Sequence, residues 1–176
     1  NMFKKSLFLL LLIAFSCTKT DVFEDGKQII ITPAAKCVNG FAGQYPCNDY
    51  DLLVHFSLEE LGLTSQDASG NDSWGWTDPE TGREYALMGT NEGVTFIDVT
   101  NPQEATILGT LKTRTENSIW RDVKVFNSIA YIVSEAEEHG MQVFNLKRLA
   151  NVTNPPVEFT ADNEYTSFGN AHNIVV

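Results

Sequence analysis

Short apolar runs alternate with turns rich in Gly, Asn and Pro through the second half of the chain, the pattern of many short β-strands. One group of runs falls at about 73–77, 84–90, 94–99 and 106–111. A second falls at about 119–126, 129–134, 141–146 and 157–160. Asp78-Pro-Glu-Thr-Gly82 and Asn91-Glu-Gly93 supply turns in the first group, and Asn127-Ser128 a tight hairpin in the second. Asn is suited to such hairpins because it tolerates positive φ. Ile129-Ala-Tyr-Ile-Val133 is apolar at every position. A strand with one wet face would alternate, so this run predicts a sheet covered on both sides.

The two groups resemble each other. Tyr85-Ala-Leu-Met aligns with Tyr131-Ile-Val-Ser, and Trp74 with Trp120, each 46 residues apart. Gly93-Val-Thr-Phe-Ile-Asp-Val aligns with Gly140-Met-Gln-Val-Phe-Asn-Leu, 47 apart. Ala171-His-Asn-Ile-Val-Val176 takes the place of Trp120-Arg-Asp-Val-Lys-Val125, 51 further on. A period of about 40–50 residues built from several strands suggests propeller blades. The expected fold is all-β: a partial β-propeller of about two four-stranded blades plus the first strand of a third. Propellers have about four to eight blades, so this ring is incomplete and the chain is expected to be truncated at its C-terminus. A β-sandwich of seven or eight strands is the alternative.

Four segments are expected: a signal peptide at 1–16, a lipidated Cys and tether at 17–35, a disulfide loop and short helix at 36–72, and blades at 73–176. Lys4 and Lys5 precede the apolar run Leu7-Phe-Leu-Leu-Leu-Leu-Ile-Ala-Phe15. A membrane span needs about 20 such residues, so the run reads as the core of an export signal. Ala14-Phe-Ser-Cys17 then resembles a bacterial lipobox, with Cys17 the lipidated residue. The other reading is an ordinary signal peptide with an incidental Cys. Cys37 and Cys47 bracket nine residues that include two Gly and a Pro. In an oxidising compartment a disulfide is the favoured reading. Ser57-Leu-Glu-Glu60 is a capping box, with Gly62 as a stop for a short helix.

Charge narrows the partners. The 176 residues hold 12 Lys+Arg and 23 Asp+Glu, a net −11. Nucleic-acid binding needs clustered basic residues and is not expected. An acidic body is repelled by anionic membranes, so attachment would rest on the lipid. The sequence holds no Gly-x-Ser-x-Gly elbow, no His-Glu-x-x-His, no phosphate-binding Gly loop and no Cys-x-x-Cys. No catalytic residue and no cofactor are assigned. Asp67-Ala-Ser-Gly-Asn-Asp72 lacks the Gly and distal Glu of a calcium loop and reads as solvated. Glu135, Glu137 and Glu138 read as a solvated acidic tip.

One constellation carries candidate chemistry. Trp74-Gly-Trp76, Trp120-Arg121-Asp122 and Ala171-His172-Asn173 hold the same place in successive units. At the start of each innermost strand they would gather at the channel mouth. Asp122, His172 and Asn173 could hold a cation or polar ligand, and Trp76 and Trp120 could stack on a sugar or an aromatic ring. Alternatively, Arg121 or His172 bonds carbonyls between blades.

Trp74-Gly-Trp-Thr-Asp-Pro-Glu-Thr-Gly-Arg-Glu-Tyr-Ala86 and Gly93-Val-Thr-Phe-Ile-Asp-Val-Thr-Asn-Pro102 resemble the choice-of-anchor B family of LVIVD-repeat proteins. So do Trp120-Arg-Asp-Val-Lys-Val125, His139-Gly-Met-Gln-Val-Phe-Asn-Leu146, Ala171-His-Asn-Ile-Val175 and Cys37…Tyr45-Pro-Cys47 ahead of Asp51-Leu-Leu53. The resemblance runs from about residue 36 to 176. It implies an exported bacterial β-propeller whose members reach the surface by differing anchors, and no agreed activity. The expected function is a lipid-anchored binding or scaffold module at the outer membrane or cell surface, with a protein or glycan ligand. A metal-dependent propeller hydrolase or lyase, its site completed by further blades, is the alternative.

Overall fold

The computed structural model describes residues 34–176. Cys17 and the export signal lie outside them. The described chain is all-β and forms three sheets. The first is a small antiparallel sheet of β1 (Cys37–Val38), β2 (Phe41–Ala42) and β3 (Tyr45–Pro46). Asn39 and Gly40 turn it with φ of 53° and 83°, the conformation a two-residue hairpin requires. The expected disulfide joins Cys37 to Cys47 across it. Only Ala42 of its strands is buried, so the crosslink takes over part of the role of a core.

The capping box also forms. Ser57 N–H donates to Glu60 Oε2 (2.6 Å), and Glu60 N–H to Ser57 Oγ (3.2 Å). The expected helix reduces to a hydrogen-bonded turn that Gly62 ends at φ 89°. Its value lies in what it buries. Leu61 and Leu63 pack on Ile97 and Ala105, with Val54, Phe56, Ala86, Met88 and Ile107 around them.

Two meanders follow. The first comprises β4 (Gly70–Thr77), β5 (Glu84–Thr90), β6 (Gly93–Asp98) and β7 (Thr106–Lys112). The second comprises β8 (Arg121–Phe126), β9 (Ile129–Ser134) and β10 (Met141–Asn145). One face of each meets the other in a shared core of Leu87, Phe96, Leu108, Val123, Ile132 and Phe144. The turn at residues 57–62 covers the opposite face of the first, so five of the six residues of β6 are buried. The continuous apolar runs therefore reflect two-sided covering, as their pattern requires.

β11 (Val157–Phe159) departs from expectation. It does not close its own unit as a fourth strand. It crosses to the first meander and pairs in parallel with β7, Val157 opposite Gly109 and Phe159 opposite Leu111. The chain then returns, and β12 (Asn163–Tyr165) pairs with β10 as the fourth strand of the second sheet. Phe159 is the reason for the excursion. Its ring meets Phe96 at 5.5 Å and Phe144 at 5.1 Å, edge to face, sealing the junction between the sheets. Residues 171–176 are not a strand, although they run beside β8. Ala171 N–H donates to Ser134 O (3.0 Å).

The repeat persists with uneven spacing. Met88 pairs with Ser73 and Thr95, and Ile132 with Val123 and Gln142. Matching these rungs places the first strands 50 residues apart, the second 44 and the third 47. Gly93 and Gly140 keep their correspondence. The turn after the first strand is longer in the first unit, and the turn after the second strand is longer in the second, so a single offset cannot match all rungs.

Gly109 permits the crossing of β11. Its φ is 154°, and a Cβ there would stand 2.0 Å from the Val157 carbonyl oxygen. Gly109→Ala is therefore expected to lose about 1–3 kcal/mol by forcing backbone away from backbone. Urea unfolding checks the loss, and hydrogen exchange should place the fastest new exchange at residues 157–159.

Candidate functional site

The first residues of the edge strands β4 and β8 lie side by side. Asn71 Nδ2 donates to Ile119 O, and Val123 N–H donates to Asp72 Oδ2 (3.1 Å). One unit on, Ile174 N–H donates to Asp122 Oδ2 (2.8 Å). Each carboxylate thus captures the backbone N–H of the next segment, 51 and then 52 residues later. Between the two acids lies Lys124. Its ammonium pairs with Asp122 Oδ1 and with Asp72 Oδ2 (3.2 Å), and sits 4.7 Å from the centroid of the Trp74 ring.

Asp122 is buried, and its oxygens accept from Lys124, Ile174 N–H and, at 3.4 Å, Asn173 Nδ2. The positive charge that Asp122 was expected to attract is supplied by the chain itself. No group of three or more His, Cys, Asp or Glu among the described residues is placed to hold a metal ion. Burial disfavours the charged carboxylate of Asp122. Hydrogen bonds with the Asp72 side chain, the Lys124 ammonium and the Ile174 N–H outweigh burial and draw the carboxyl down to about 2. Burial likewise opposes the charge on Lys124, and the two carboxylates hold its ammonium above the ordinary value.

Strand alternation sends Arg121 the other way. It is 2% exposed and reaches between the sheets, donating Nε–H to Thr90 O (2.9 Å) and Nη1–H to His139 Nε2 (3.2 Å). Nη2 finds no partner, and no carboxylate among the described residues lies within ion-pair distance of Arg121. Burial lowers its guanidinium to about 10. Arg121 thus bonds a backbone carbonyl of the first sheet across the junction.

Trp120 and His172 do converge. Their ring centroids are 5.3 Å apart, and His172 Nδ1 lies 2.6 Å from Glu135 Oε1. Trp120 is 47% exposed, with its backbone fixed from both sides: Ser118 Oγ accepts its N–H, and Ser134 Oγ–H and Glu135 N–H donate to its carbonyl. An indole held open beside a histidine and a carboxylate offers a stacking face with polar groups at its edge. Trp76 takes no part. It stacks on Tyr85 at 5.3 Å and packs against the shared core near the far end of β4. The structure therefore gathers Trp120, Asp122, His172 and Asn173, and separates Trp76 and Arg121 from them.

Four contributors were not among the expected site residues: Asp72, Lys124, Glu135 and His139. Asp72 and Glu135 had been read as parts of solvated loops. The available signal was Asp-Ser73 against Asp-Val123, which a fixed 46-residue offset hides.

Comparison of the chain with family models, curated proteins and solved structures returns no match.

The titration of Asp122 is testable. A depressed carboxyl contributes stability above its ordinary pKa, and that stability disappears as pH falls toward 2. Asp122→Asn should flatten the decline of stability between about pH 4 and 2 seen in the native chain, as denaturant midpoints across that range would record.

Proposed function

We propose that this chain is an exported, lipid-anchored surface module of β-propeller type with a binding or scaffold role. The propeller reading draws on the two successive meanders, on edge strands β4 and β8 lying side by side, and on the repeated capture of the next segment's N–H by Asp72 and Asp122. It also draws on the resemblance to LVIVD-repeat proteins. Export is favoured by the Leu7–Phe15 run, and the Cys37–Cys47 disulfide is compatible with an extracytoplasmic setting.

The observation that carries the binding role is Trp120, half exposed yet rigidly held beside His172 and Glu135. Aromatic faces of this kind supply contact area at small entropic cost, with polar neighbours setting orientation. Sugar rings are the ligand class that best suits one flat apolar face and a rim of hydrogen-bonding groups.

Screening of the full chain on a glycan array tests this reading. Trp120→Ala should weaken a retained glycan by about 3- to 10-fold, the worth of one aromatic contact. Its stability should stay within about 0.5 kcal/mol of native, as for an exposed side chain. Absence of any glycan binding by the native chain would overturn the assignment of ligand class. The anchor is tested separately: a fatty-acid probe fed to expressing bacteria should label the native chain and leave Cys17→Ser unlabelled.

A further inference from the structure

His139 is wholly buried at the end of the residue 135–140 loop, although no candidate chemistry involves it. Its partners fix its protonation. Nδ1 lies 3.0 Å from Gly140 O, and a carbonyl only accepts, so Nδ1 carries the hydrogen. Nε2 lies 3.2 Å from Arg121 Nη1, and a guanidinium only donates, so Nε2 must offer a bare lone pair. The ring is thus the neutral Nδ1–H tautomer, assigned from its neighbours. Through this one acceptor the second sheet steadies the guanidinium that reaches from β8 to Thr90 O on β5.

Burial opposes a charge on the ring and Arg121 and Arg114 repel it, which together outweigh the Gly140 carbonyl and Gln142 that favour it. Arg121 faces the ring from β8. Arg114, in the connection before β8, donates its Nε–H to the His139 carbonyl (2.8 Å) and its Nη2–H to Glu138 O. Gln142 approaches from β10, and its Nε2–H donates to Lys112 O (3.1 Å). Glu164 of β12 is the acid that faces Arg114. It stands 4.0 Å from Arg114 Nε and pairs with that cation rather than with the ring. Glu137 and Glu138 of the same loop are exposed.

We propose that His139 and Arg121 form a proton-sensitive latch between the two sheets. A proton taken from solvent by Nε2 removes the acceptor, sets one N–H against another and places imidazolium against guanidinium. Arg121 then loses the acceptor that steadies it, and its bond to Thr90 O on the first sheet weakens. Burial, reinforced by Arg121 and Arg114, holds the imidazole below the ordinary histidine value. The folded state therefore stays unprotonated where the unfolded state binds a proton, and stability falls as pH drops below about 6.5. This latch does not depend on the nature of any ligand.

His139→Gln supplies the test, because the Gln oxygen can accept from Arg121 without titrating. Denaturant unfolding of the full chain should show the native folding constant falling by up to about fivefold more than that of the variant between pH 6.5 and 5.5. Parallel profiles would overturn the proposal. Should the variant fail to fold, NMR titration of the native imidazoles decides the matter. A His139 signal titrating below the ordinary histidine range supports the latch, and one titrating at or above it refutes it. Hydrogen exchange on mild acidification should rise first at residues 113–122 and 134–142. A uniform rise across both sheets would also refute it.

Discussion

Neither meander can cover its own apolar faces, and the contact between the two sheets is the constraint from which the rest follows. Phe96 and Phe144 stack at 4.5 Å across that contact, with Phe159 edge-on to both. Burying one such side chain is worth about 1.5–3 kcal/mol relative to exposure, and three rings share one site here. The path of β11 is explained by this cluster: the chain leaves its own sheet, follows β7 past Gly109, inserts Phe159 and returns as β12. A strand swapped between neighbouring sheets couples their stabilities, so neither is expected to unfold alone.

Polar groups fix how the sheets meet. Asp72 and Asp122 each accept a backbone N–H from the segment that follows, and a hydrogen bond from N–H to carboxylate is among the stronger kinds available to a protein. Lys124 pairs with both acids, one ammonium shared between two carboxylates, and lies over Trp74. On the opposite side of the same strand, Arg121 is buried without a carboxylate and leans on a neutral histidine. One strand thus carries paired charges on one face and an unpaired guanidinium on the other. The paired charges set alignment. The unpaired one is where a single proton changes the energy of the junction.

Much of the site was legible as residue type but not as partnership. Asp122, His172 and Asn173 were readable as convergent because they recur at the start of corresponding segments, and Trp120 joins them. Trp76 was not separable from Trp120 by spacing, since both read as tryptophans at the head of a strand. Pairing shows Trp76 opposite Tyr85, several rungs further along. Lys124 gave no signal of its own: a lysine within an apolar strand reads as a solvated position until both flanking acids are known. His139 was hidden for the reverse reason, because a histidine in an acidic loop reads as exposed and only the packing of Arg114 and Arg121 buries it.

By itself the sequence determined the local conformations: the meanders, the Asn39-Gly40 and Asn127-Ser128 hairpins, the Ser57–Glu60 capping box and the disulfide. These depend on neighbouring residues, on φ preferences and on the two-residue period of a strand. The tertiary structure alone decided the parallel pairing of β11 with β7, the uneven register of the repeat, and the opposite fates of Arg121 and Asp122. Those rest on contacts between residues roughly 20 to 50 positions apart. Such contacts are selected by the volume left between two sheets and by the charges facing it, and neither quantity is written in any local stretch of chain.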